Sequence, residues 1–138
     1  MKEFRRILVP VDEGKVSEKA FRSAMDLASM IDGRITLLHV IEVEEPVLGG
    51  IETELDEELK NRGMKIISRF SKEAKGSDLE LDPVLVEGDA ASVINEGSRD
   101  HDLIIMGTHG RSTLASMVMG SVADSVMRNS CCPVLLLR

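Results

Sequence analysis

Five short apolar runs, at residues 7–11, 35–41, 81–86, 103–106 and 134–137, alternate with stretches whose apolar residues recur at helical spacing. Each run reads as a buried strand. Between the first two, Ala20, Ala24, Leu27, Ala28 and Ile31 mark a helix, with Ser17 placed to cap it and Gly33 just past its end. Leu55, Leu59, Ile66, Ile67, Phe70 and Ala74 mark a longer one that ends at Gly76 and is weakened midway by Gly63. Asp89 caps a short helix through Ile94. Ser121 is placed to cap the last helix, with Asp124 as its capping-box partner and Val122, Val126 and Met127 on the inner side. This alternation predicts an α/β fold, a parallel sheet with right-handed crossovers and helices on both faces. The 138 residues fit one domain, 1–138, long enough to bury a core without disulfides or metal.

A net charge of -7, with no run of Lys or Arg, argues against nucleic acid as a partner. The charged start, residues 1–6, leads into the first strand without a secretory h-region, and no segment is long enough to span a membrane. Cys131 and Cys132 are adjacent, which suits neither a zinc site nor a redox pair; they read as buried or half-buried thiols of a cytoplasmic protein. With eight Met and no Trp or Tyr, methionine is expected to fill core space, a Met-rich docking surface being the alternative.

In such sheets ligands bind beyond the carboxyl ends of the strands, where the winding reverses. Strand one ends in Pro10-Val11-Asp12, and strand four in Met106-Gly107-Thr108-His109-Gly110. If the reversal lies between them, both tails meet in one crevice. Gly107 and Gly110 are followed by Gly120 and Ser121, a set that suits either a phosphate-sized anion or plain turns. Asp12 suits two roles, accepting hydrogen bonds from ribose hydroxyls or a base amine, or capping its own turn. His109 and Arg111 read as solvated loop residues, and residues 42–50 as a surface loop with a lid as the lesser reading. Walker A, dinucleotide and nucleophile-elbow patterns are missing, and the three histidines lack metal-ligand spacing.

Taken in order, Ile7-Leu8-Val9-Pro10-Val11-Asp12, Leu37-Leu38-His39-Val40, Glu87-Gly88-Asp89-Ala90, the strand-four tail and Gly107-x2-Gly110-x9-Gly120-Ser121 resemble the universal stress protein family of the ATP-binding type over nearly the whole chain. The resemblance implies a five-stranded sheet of order 3-2-1-4-5 with an adenine nucleotide between strands one and four. It implies that Pro10, Val11 and Asp12 border the nucleoside, that the Val40 backbone faces adenine, and that Met106 and Gly107 form the floor. Gly110, Gly120, Ser121 and Val122 would hold the phosphates of ATP, ADP or AMP, with Mg bound through them. Glu13, where many members have a small residue, and Ala123, where a hydroxyl is frequent, depart from the pattern. The implied role is a stress-response sensor or switch acting through a protein partner, with a homodimer joined through strand 134–137 and little or no hydrolysis. A nucleotide-independent structural or chaperone-like homodimer is the alternative.

Overall fold

The computed structural model describes residues 3–42, 54–109 and 119–138. The elements run β1 (Arg6–Pro10), α1 (Lys15–Ile31), β2 (Arg34–Ile41), α2 (Glu54–Ala74), β3 (Glu80–Glu87), α3 (Ala90–Gly97), a single 3-10 turn (Ser98–Asp100), β4 (Leu103–Gly107), α4 (Ser121–Asn129) and β5 (Val134–Leu137). The strands form one all-parallel sheet in the order β3-β2-β1-β4-β5. The expected architecture and order are both present.

Strand alternation divides the core. Ile7 and Val9 of β1, Ile35 and Leu37 of β2 and Ile105 of β4 pack against α1 and α2, whereas Leu8, Leu38, Ile104 and Met106 turn to α3 and α4. Ala20, Ala24 and Ala28 are fully buried at helical spacing, so α1 lies close on the sheet. The Phe21 and Phe70 rings, 5.1 Å apart at 63°, join α1 to α2 edge to face. Gly63 does not interrupt α2. A Cβ there would stand 3.0 Å from Leu85 and 3.1 Å from the His39 ring, so the missing side chain lets α2 cross β2 and β3 closely.

Several local expectations are corrected. Helix α1 starts before Ser17, whose hydroxyl turns back to Asp12, and Gly14 is the N-cap. Gly120, not Ser121, is the N-cap of α4, and Asp124 pairs with Arg128 instead of closing a capping box. On α4 it is Ala123 that is buried beside Val126, while Met127 is exposed. Met30 and Met64 are exposed too; Met106 is buried and Met25 packs against the core, so methionine fills the core only in part. Cys132 is buried but Cys131 is exposed. Strand β3, an edge of the sheet, is half-covered along its length because no strand among the described residues pairs with its outer side. Residues 43–50 of the expected surface loop lie outside the described residues. Among the described residues no helix is long and apolar enough to cross a membrane, and no group of three or more His, Cys, Asp or Glu could hold a metal ion.

At the edge opposite the strand carboxyl ends, buried Asp102 ties β4 to β1. Its Oδ2 accepts from the Arg6 amide at 2.9 Å and the Arg5 amide at 3.2 Å, and Oδ1 accepts from the Arg6 guanidinium at 3.3 Å. Burial pushes this carboxyl up, but the hydrogen bonds from Arg6 and Arg5 and the charge of Arg6 outweigh it and hold it below its ordinary value of 3.8. A carboxyl depressed in the folded state stabilises the fold above its unfolded value, and that contribution is lost as pH falls through the lower folded value. Asp102→Asn is therefore expected to cost about 1–3 kcal/mol in urea unfolding at pH 7. As pH falls below about 4 the gap between variant and wild type should narrow, first because the unfolded carboxyl takes up its proton and finally because the folded one does.

Candidate functional site

The winding reverses at β1: the chain passes from β1 to β2 and β3 on one side, then returns to β4 and β5 on the other. Beyond the carboxyl ends of the strands lies a cavity of about 540 Å³, within the range of small-molecule sites. Pro10, Val11 and Asp12 from the β1 end and Met106 and Gly107 from the β4 end line it. Val40 borders it from β2, and Gly120, Ser121 and Val122 from the start of α4. Nine of the ten expected site residues thus meet in one crevice; Gly110 lies outside the described residues, as does Arg111. His109, read from sequence as a solvated loop residue, also lines the cavity, and the Thr108 hydroxyl is 3.2 Å from its Nδ1.

Asp12 is a turn residue by its contacts. Its Oδ1 accepts from the Gly14 amide at 2.7 Å and from the Ser17 hydroxyl at 2.9 Å, and its own amide donates to Ser17 Oγ at 2.9 Å. The carboxylate is thereby fixed at the cavity wall, so the capping role and a ligand role are compatible. His39 Nδ1 lies 2.7 Å from the Val11 carbonyl oxygen, and since a carbonyl only accepts, Nδ1 carries the proton. That bond joins the ends of β1 and β2 under the cavity.

The helix starts around the crevice differ. At α3 the Asp89 carboxylate accepts from the Ser92 amide at 3.0 Å and the Ser92 hydroxyl at 2.7 Å, contacts that hold it below its ordinary 3.8. Glu42, at the end of β2, adds a bond from the Ala90 amide at 3.0 Å. At α4 no side chain caps the helix among the described residues. Gly120, Ser121, Val122 and Ala123 at this start line the crevice, where an anion would meet the partial positive charge of a helix N-terminus.

Sequence reasoning did not find the walls. Leu59, Arg62 and Ile66 of α2, Glu42, and Ala90 and Ile94 of α3 line the cavity as well. Leu59, Ile66 and Ile94 were legible only as helical apolar positions. Arg62 carried no signal, because its partner Glu13, 3.4 Å away, is distant in sequence.

The sequence profile of the Universal stress protein family matches residues 3–138. The chain belongs to the universal stress protein family. Universal stress protein YxiE of Bacillus subtilis is 31% identical over 98% of this chain and 99% of its own. The structure of universal stress protein UspA from Lactobacillus plantarum superposes over 100% of both chains with a TM-score of 0.88 at 22% identity. A universal stress protein family structure from Arabidopsis thaliana, with AMP bound, covers 96% of this chain and 90% of its own, with a TM-score of 0.70 at 17% identity. The last two likenesses concern the fold.

Within this universal stress protein fold Gly107 has a packing duty beside its place in the cavity lining. A Cβ on Gly107 would fall 2.4 Å from Val16 Cγ1 of α1. Gly107→Ala is expected to lower stability by about 1–3 kcal/mol in chemical denaturation, through overpacking. Val16→Ala in the same chain should return part of that loss.

Proposed function

We propose that this universal stress protein is an adenine-nucleotide-binding regulator, a sensor or switch whose state is read by a protein partner in the cytoplasm. The observation that carries this reading is the pairing of two ends in one crevice: a fixed carboxylate at Asp12, and an α4 start where no described side chain takes the cap. The AMP bound to the Arabidopsis thaliana relative supports it. In this reading Pro10, Val11 and Asp12 border the nucleoside, the Val40 backbone faces adenine, and Met106 and Gly107 form the floor. Gly110, Gly120, Ser121 and Val122 hold the phosphates of ATP, with Mg carried on the phosphates themselves. Residues 108–119 contain no Asp, Glu, Asn or Gln to orient a water, so hydrolysis stays slow, well below about 1 per second.

Gly120 has φ -78 and ψ 163, open to any residue, so a side chain there acts through space alone. Calorimetric titration of nucleotide-stripped protein with Mg-ATP should give binding in wild type and none in Gly120→Val, both with native circular dichroism. No heat in wild type would favour the nucleotide-independent dimer, and equal binding in both would place the ligand elsewhere.

The homodimer is proposed to form through β5, an edge strand of the sheet whose Leu135 is 42% exposed in the single chain. Leu136 packs inward against the second core cluster, so Leu135 is the informative position. Leu135→Lys is expected to sediment as a monomer where wild type sediments as a dimer; an unchanged dimer would move the interface away from β5.

A further inference from the structure

Glu42 stands at the end of β2 and lines the cavity. Alternation along the strand places residues 38, 40 and 42 on one face, and Leu38 and Val40 both pack with the α3 and α4 side of the core. The Glu42 carboxylate continues that face to the start of α3, where Oε1 accepts from the Ala90 amide at 3.0 Å. A long side chain that would otherwise sweep the mouth is thereby held by a helix amide, two residues beyond the backbone proposed to face the base. A carboxylate has acceptor capacity for about four hydrogen bonds, and the Ala90 amide takes one.

We propose that Glu42 reads the 6-position of a bound purine, favouring a 6-amino base over a 6-oxo base; this rests on the nucleotide-binding reading above. The 6-amino group of adenine carries two N–H donors, enough for a backbone carbonyl and a carboxylate together. A 6-oxo base places an acceptor against an acceptor-only group, so its oxygen loses a partner and meets like charge. The Ala90 amide is the positioning element, since it fixes where the carboxylate stands.

Titration of stripped protein with Mg-ATP and Mg-ITP isolates this contact, because the two ligands share ribose and phosphates and differ at the 6-position. Wild type is expected to favour ATP by about tenfold or more. Glu42→Gln, whose amide can donate to a 6-oxo group, should weaken ATP, strengthen ITP and narrow the ratio to about threefold or less. If Glu42→Gln does not fold, Ala90→Pro gives the same readout: proline suits the first helical position, follows Asp89 in an extended conformation, and removes the amide that holds Glu42. A narrowed ratio in the variant that folds supports the proposal. Equal wild-type affinity for ATP and ITP, or a ratio unchanged by the substitution, overturns it while leaving the nucleotide reading in place. No wild-type binding of either ligand overturns the nucleotide reading and this inference with it.

Discussion

In an all-parallel sheet every strand delivers its carboxyl end to the same edge, and the need to return to the opposite edge obliges the crossover helices to begin there. The molecule depends on this constraint more than on any single contact. Because the chain leaves β1 toward β2 and later returns to β1's other side as β4, the loops beyond β1 and β4 diverge to opposite faces of the sheet and leave a crevice between them. A cavity at this place is a product of topology. What the sequence adds is its lining: Met106 and Gly107 from the β4 end, and walls of apolar residues among which stand Glu42 and Arg62.

Two glycines serve close packing between helices and sheet. Gly107 lets α1 press against β4 through Val16, and Gly63 lets α2 pass over the His39 ring. In both cases the space that a Cβ would fill is taken by protein, so either glycine would be retained even without a ligand. Gly120 differs, since its backbone is ordinary and its amide donates to the Thr108 carbonyl at 2.6 Å, tying the start of α4 to the end of β4.

The alternation of apolar runs and helical spacing made the fold legible, and the family resemblance supplied the strand order. Both survive because burial on two faces forces apolar strands and amphipathic helices whatever the details. Local signals were less secure. Ser17 and Ser121 look alike as candidate caps, yet one bonds back to Asp12 and the other starts a helix capped by glycine, because tertiary partners decided which hydroxyl was needed where. Met127 fits the helical stripe of α4 yet is exposed, since α3 and the sheet cover only the sector that holds Ala123 and Val126. The Arg62–Glu13 and Glu42–Ala90 contacts join residues 49 and 48 apart, and spacing within one element has no means of pairing them.

The distribution of charge at the crevice gives it a direction. Three helix starts lie around it: among the described residues α1 and α4 both have a glycine N-cap with no side-chain cap, though the Asp12 carboxylate stands just before α1 on the Gly14 amide and the Ser17 hydroxyl, while α3 has Asp89 and Glu42. Carboxylates thus stand beside the starts of α1 and α3, where they disfavour an incoming anion. At α4 the one acid of the first turn, Asp124, is paired with Arg128, and Gly120 and Ser121 border the cavity. A chain of net charge -7 can thus receive an anion without a basic patch, because backbone amides supply the attraction over a few ångströms where the average charge does not reach. On the proposed nucleotide reading, the neutral, hydroxyl- and amine-bearing part of the same ligand would meet the carboxylate side, which donors favour and phosphates avoid. In that proposed reading, orientation in the crevice follows from where the protein has placed its carboxylates.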